Sequence, residues 1–325
     1  MNPLVSVIIP TFNRAGVVTR AIDSVLGQTY RPVEVVVVDD GSTDKTPEVL
    51  RSYGDSIVSV VQDNAGPAAA RNRGIRESRG ALIAFLDSDD LWLPAKLQRQ
   101  VDLLQRAGAD VPCCLCDTRM RWAQNREQSS FQIARLRLGE PQGLWVNPAL
   151  VLATRFVLFC QAALIRREFL TDCGGFDERL WLMEDHDLAL RLALRGPWAV
   201  IRDPLALWCG QNDDFNLSVA ARKEPARLLQ CIEYIDRKIL DQEKGLDRQV
   251  IRYLQRDLRG VRRRLLTQQW GAQGHVLPRA AARLMAGWDR LRQAWFRRSW
   301  SYPKAELRPI LGHDSAAEVG QAFRE

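Results

Sequence analysis

The stretch AFLDSDDLW, Ala84 to Trp92, decides the fold. An apolar run that reads as a buried strand stops abruptly in three carboxylates within four positions, Asp87, Asp89 and Asp90. Carboxylates set this close together are costly unless water, a cation or hydrogen-bond donors answer them. The end of this strand is therefore a candidate binding site.

Working outward, the pattern repeats. VSVIIP and VEVVVVDD are continuous apolar runs and SIVSVVQ is a third. Between them Ala21, Ile22, Val25 and Leu26 recur at helical spacing, Ser42 or Thr43 stands where a helix cap is wanted, and an alanine- and arginine-rich helix opens near Pro67. A further helix is expected near Pro94. Strands buried on both faces and alternating with helices predict a mostly parallel, doubly covered sheet, an α/β fold. In such sheets ligands bind beyond the carboxyl ends of the strands. That rule gathers Pro10, Thr11 and Asn13, Asp39 and Asp40, Asn64 and Gly66, and Asp87 to Asp90 on one rim. A rim this acidic repels phosphate unless a divalent cation intervenes, so the expected ligand is a metal-bridged nucleotide. No GxGxxG or GxxxxGK[ST] follows the first strand, which argues against a dinucleotide fold and a P-loop. Arg71 and Arg73 in AAARNRG are placed to supply positive charge, with Arg76 a further candidate.

The bulk numbers agree with a folded, globular chain. The chain has 325 residues, 46% hydrophobic and 8% aromatic, enough to fill a sizeable core and to exclude whole-chain disorder. The segment MNPLVSVIIPTFNR has no charged leader region and breaks at Pro10, so it is expected as a first strand and not a signal peptide. No stretch reaches about 18 uninterrupted apolar residues, so no membrane span is expected. Seven cysteines without paired CxxC motifs fit a reducing compartment, and Cys113, Cys114 and Cys116 read as core strand. The expected location is cytoplasmic, or peripheral on the inner face of the cytoplasmic membrane. Charge is unevenly spread: 24 basic and 27 acidic residues reach to Val219, and 22 and 12 follow.

After about Ala109 the pattern is less regular until CGGFDERLWLMEDHDLALRLALRG, a Gly-Gly turn and a helix with Leu188, Leu192 and Leu194 in its apolar pattern. That helix opens on Glu184, Asp185 and Asp187. Beyond Ser218 the chain reads as helical and basic. Leu284, Trp288, Leu291 and Trp295 form a stripe flanked by arginines, suited either to packing on the domain or to an anionic membrane.

SVIIPTFNR, VVVVDDGSTDKT, NAGPAAARNRG, ALIAFLDSDDLW and GGFDERLWLMEDHDLALRL, in this order and spacing, resemble the family 2 glycosyltransferases of the GT-A fold. The resemblance covers roughly residues 3–218 and leaves the last hundred outside. It implies a catalytic domain over 1–218, with a nucleotide-sugar half to about 108 and an acceptor half from about 109, followed by a helical extension over 219–325. It implies that Pro10, Thr11, Asn13, Asp39, Asp40, Arg71, Asp87 and Ser88 bind the nucleotide. Asp89, with Asp90 supporting, would hold Mn2+ or Mg2+ in a DXD motif, Asp185 would be the catalytic base, and Glu184 would lie in the acceptor site. The implied reaction inverts the anomeric centre of a nucleoside-diphosphate sugar, a UDP-sugar favoured. Its acceptor is a hydroxyl of a saccharide or lipid-linked saccharide, in bacterial surface polysaccharide synthesis. Many relatives carry a later metal-binding His; here LWCGQNDDFNLS has none, so either Gln211, Asn212, Asp213 or Asp214 substitutes or the metal is held by fewer protein groups with phosphate and water.

Other classes fit less well. A sugar-phosphate nucleotidyltransferase lacks its glycine-rich first loop here. Nucleic-acid binding through the basic tail leaves the acidic rim unexplained, so no nucleic-acid partner is expected. An inactive partner subunit would have lost Asp89 or Asp185, and both are present.

Overall fold

The structure, a computed structural model, describes residues 2–122, 126–136, 138–209, 224–272 and 303–310. Four parallel strands form one side of the sheet: β1 (Val5–Thr11), β2 (Val33–Asp39), β3 (Val58–Val61) and β4 (Leu82–Phe85). Their connections run through α1 (Val18–Leu26), α2 (Thr46–Arg51) and α3 (Pro67–Glu77). β5 (Leu91–Trp92) and α4 (Lys96–Ala107) follow. The less patterned middle supplies β6 (Cys113–Trp122), β7 (Arg126–Ser129), α5 (Ser130–Ile133), β8 (Gln142–Trp145), α6 (Pro148–Leu152), β9 (Ala163–Arg166) and α7 (Arg167–Asp172). Then come α8 (Glu184–Ala193), β10 (Trp198–Trp208), α9 (Pro225–Gln242), α10 (Arg248–Ala272) and β11 (Leu307–Arg308). The strand order is β11-β8-β10-β6-β9-β4-β1-β2-β3, with β5 paired to β10 and β7 to β6.

The apolar runs become β1, β2 and β4, buried along most of their length, as their two-sided cover requires. The third run differs. β3 is the sheet edge, and Val61 is 65% exposed because none of the described residues covers that face. Val58 and Val61 are exposed edge residues, and only Val60 packs partly buried against the core.

Two sequence features shape the site end of the sheet. Pro10 lacks an N–H and sits in the second-from-last position of a central strand. It points the same way as Ile8, whose carbonyl accepts from Leu86 N beside β4. At Pro10 the pairing with β4 has already ended, so no donor is missed there. Gly74 lets α3 lie directly on β1: a Cβ there would stand 2.3 Å from Ile8 Cγ2. In β10 the register shifts around Pro204, between the residues that pair with β8 and those that pair with β5. The bulge re-aims the strand toward the loop after β4.

Cys113, Cys114 and Cys116 are free and fully buried on β6, as core. The second half is anchored by aromatics, with Trp198 edge-on to Trp145 at 5.7 Å and against Phe159 at 5.4 Å. The C-terminal helices do not stand apart. Cys231, Ile235 and Ile239 of α9 and Val250 and Leu254 of α10 belong to the same apolar core as the sheet, and β11 extends that sheet beside β8. Residues 279–298, with the tryptophan stripe, lie outside the described residues, as do Gln211 to Asp214.

Candidate active site

Thr11 and Asp39 end adjacent strands and pair in register. Asp39 is fully buried. Its Oδ1 accepts from Ser42 N at 3.0 Å, while its Oδ2 and the Thr11 hydroxyl have no partner among the described residues. Buried polar atoms are nearly always paired, so two such atoms side by side mark a place where a ligand's donor and acceptor fit.

The neighbours of this pair hold loops together. Asp40 accepts from Gln62 Nε2, Ala65 N and Gly66 N at 2.8–2.9 Å, which spends its carboxylate on the approach to α3. Asn13 has a left-handed φ of 53°. Its N–H donates to Ser42 Oγ, and its Oδ1 accepts from Thr43 N at 2.8 Å and Asp44 N at 3.3 Å. Ser42 and Thr43 therefore do not cap α2. Asp44 instead accepts from Thr46 N at 2.9 Å, because Asn13 has already engaged the two earlier residues. Arg14, which the sequence offered only as part of FNRAG, lies 3.8 Å from Asp89.

In the loop after β4, Asp87 is partly exposed, Ser88 is buried, and the Asp89 side chain is 20% exposed. Asp90 turns inward: its Oδ1 accepts from Cys209 N at 2.9 Å and its buried Oδ2 has no partner among the described residues. Burial, with the charges of Asp87 and Asp89, holds Asp90 well above the usual carboxylate range. Among the described residues no cluster of three or more His, Cys, Asp or Glu forms a metal cage. A hard cation that keeps waters and takes substrate phosphates needs only one or two carboxylates, and Asp89 with its acidic neighbours fits that need.

Arg71 joins the two halves. Its buried guanidinium donates Nη2 to Asp87 Oδ1 and Nη1 to Glu184 Oε1, each at 2.7 Å, and lies 5.3 Å from the centre of the Phe176 ring. Arg73 pairs with Glu77 further along α3, and Arg76 is exposed, so of the three α3 arginines it is Arg71 that serves this rim.

The first turn of α8 carries three acids in contrasting states. Glu184 is paired with Arg71. Asp187 is fully buried and paired with Arg191 and Lys238. Asp185 has no ion pair among the described residues; its Oδ1 accepts from His186 N at 2.7 Å. Burial and the charge of Glu184 push it up to about 7, against a weaker opposing effect of Arg71. Such a carboxylate can take a proton near neutral pH. Burial also keeps the adjacent His186 neutral, its pKa pushed down to about 4, with its ring tilted on Phe156 at 5.8 Å. Met183, just before the helix, has a left-handed φ of 67°.

The structure thus brings Arg71, Asp87, Glu184 and Asp185 together across 113 residues of chain from Arg71 to Glu184. The sequence did not point to Arg14, Asp177 or Lys238. Asp177 lay within GGFDERL, but nothing local signals Lys238.

The family model "Glycosyl transferase family 2" matches residues 6–168, half of the chain. The chain belongs to that family. An uncharacterized glycosyltransferase of Rickettsia typhi is 44% identical over 105 residues, 32% of this chain and 33% of the relative. The succinoglycan biosynthesis protein ExoO of Rhizobium meliloti is 35% identical over 204 residues, 61% of this chain and 58% of the relative. The chain spans about a third of the length of the first curated relatives it matches. In fold it is similar to the solved structure of S. aureus TarS 1-349 in complex with UDP-GlcNAc, with a TM-score of 0.62 and 22% identity over 82% of this chain and 72% of that one. The mostly parallel α/β fold is thus the expected GT-A arrangement.

Proposed function

We propose that the chain is an inverting glycosyltransferase that uses Mn2+ or Mg2+. It moves a sugar from a nucleoside-diphosphate sugar, a UDP-sugar favoured, to a hydroxyl of a saccharide or lipid-linked saccharide. The observation that carries this reading is the setting of Asp185: a buried carboxylate with no ion pair among the described residues, set among paired acids and linked through Glu184 and Arg71 to the acidic loop after β4. The naming of ExoO and the UDP-GlcNAc held by TarS support a polysaccharide setting and a UDP-sugar donor.

In this reading Thr11 and Asp39 meet the base with their unpartnered atoms, Pro10 and Asn13 shape that pocket, and Asp40 secures it. Asp87 meets the ribose beside Ser88, and Arg71 orients Asp87. Asp89, braced by Asp90, would hold the cation, which supplies Lewis-acid stabilisation to the leaving diphosphate when bound. Asp185 takes the proton of the acceptor hydroxyl. The new C–O bond forms at the anomeric carbon as the bond to the diphosphate breaks, and that electron pair leaves on the diphosphate oxygen. One displacement inverts the centre, with no covalent enzyme intermediate. Glu184 sits beside the acceptor, ion-paired with Arg71.

No helix among the described residues is long and apolar enough to cross a membrane. Contact with an anionic inner membrane face is proposed through residues 279–298.

Calorimetric titration with UDP, GDP, dTDP and CDP, each with and without manganese, tests the donor assignment. One nucleotide is expected to bind, and only with metal. Asp89→Asn is expected to abolish that metal-dependent binding, whereas Asp185→Asn keeps it and loses transfer by about 100-fold or more. Equal loss of nucleotide affinity in both variants would refute the division of roles.

A further inference from the structure

Lys238 lies on α9, well beyond the part of the chain that the family model matches. Its side chain is 10% exposed, and its ammonium donates to Asp177 Oδ2 at 2.8 Å and to both oxygens of Asp187 at 3.0 Å. Asp177 opens the segment that leads into α8, and Asp187 closes the helix's first turn. One cation therefore ties together the two ends of the eleven residues that carry Glu184 and Asp185.

The surrounding bonds act in the same direction. Tyr234, one turn earlier on α9, donates its hydroxyl to Asp177 at 2.8 Å. Arg191 donates to Asp187 and also to the carbonyls of Cys173 and Gly175, fixing the Gly-Gly turn beneath. The left-handed Met183 lies inside the tied segment, and a non-glycine residue keeps such a conformation only where its surroundings over-determine it. Arg71 grips the same turn from the nucleotide side through Glu184.

We propose that Lys238 is a positioning residue for transfer: through Asp177 and Asp187 it fixes Asp185 in the pose that meets the acceptor hydroxyl, which makes α9 part of the catalytic unit. This rests on Asp185 being the base. Lys238 itself touches no reacting atom. Without it Asp177 keeps Arg179 and Asp187 keeps Arg191, but the cation the two carboxylates share is gone, and a shift of about 1 Å in a positioned group is enough to cost about 100-fold in rate.

The test uses the full chain with UDP-glucose, UDP-galactose and UDP-N-acetylglucosamine. UDP release is followed at saturating donor, and UDP affinity is measured by calorimetry with manganese. Lys238→Met is expected to lower turnover about 30- to 100-fold while UDP affinity stays within about twofold. Tyr234→Phe removes one hydrogen bond and no charge. It is expected to fold even where Lys238→Met does not, and to lower turnover about threefold with unchanged UDP affinity. Wild-type turnover in both folded variants, or a loss of UDP affinity equal to the loss of turnover, would overturn the positioning role alone. A wild-type chain that binds UDP but releases none from any of the three donors overturns the inference together with the base assignment. One that does not bind UDP removes the UDP-sugar reading beneath both.

Discussion

Asp185 should announce itself in the pH dependence of the reaction. Its pKa is raised from 3.8 to about 7 by burial and by Glu184, so below that value the base carries a proton and is inactive. The turnover efficiency kcat/KM is expected to fall about tenfold for each pH unit below 7 and to level off above it. A flat profile from pH 5 to 8 would assign the proton to another group. Arg71 makes a second demand at this scale, because it serves Asp87 and Glu184 at once with the two ends of a planar fork. Lysine keeps the charge but places it at one point. Arg71→Lys is therefore expected to cost about 2 kcal/mol of stability, read from denaturant unfolding, by leaving one buried carboxylate without its donor.

At the scale of elements, the pair α9 and α10 carries a pH-sensitive carboxyl of its own. Asp236 is buried, its Oδ2 has no partner among the described residues, and burial with the charge of Asp257 pushes it up to about 8. The folded chain keeps this proton while the unfolded chain loses it near the ordinary value of 3.8, so stability is lost as pH rises from about 4 through 8. Asp236→Asn should raise the melting temperature at pH 8 and leave it unchanged at pH 4, each kcal/mol gained being worth about 2–4 °C. Equal melting curves at pH 8 would refute the buried, protonated state. These helices also mark how far the sequence could be read. β1, β2 and β4 were legible because strands covered on both faces are apolar throughout, and the acids of the rim follow from where those strands end. β3 has the same composition but is an edge, which no local pattern encodes. Nor does a local pattern encode the pairing of Arg71 with Glu184, or of Lys238 with Asp187: both are set by tertiary packing, across 113 and 51 residues of chain. The inward turn of Asp90 depends likewise on Cys209, which the sequence places far away.

At the scale of the whole molecule, the division at Ser218 becomes a question about folding. The net positive charge beyond that point suggests a separate appendage, yet the packing is that of one body. Cys231, Ile235, Ile239, Val250 and Leu254 lie in the common core, Arg195 pairs with Glu243 at 2.7 Å, and Val146 N donates to Glu306 O where β11 joins the sheet. Burying five apolar side chains contributes roughly 7–15 kcal/mol gross. That is comparable to the entire net stability of an ordinary domain, roughly 5–15 kcal/mol. A chain ended at Ser218 also leaves Asp177 and Asp187 without Lys238 directly beneath the proposed base. Such a chain is expected to be insoluble, or to unfold without a cooperative transition, even though it retains every residue of the family match. A sharp melt near that of the full chain would instead establish residues 1–218 as an independent catalytic domain. The segment beyond would then owe its place on α8 to a separable docking contact.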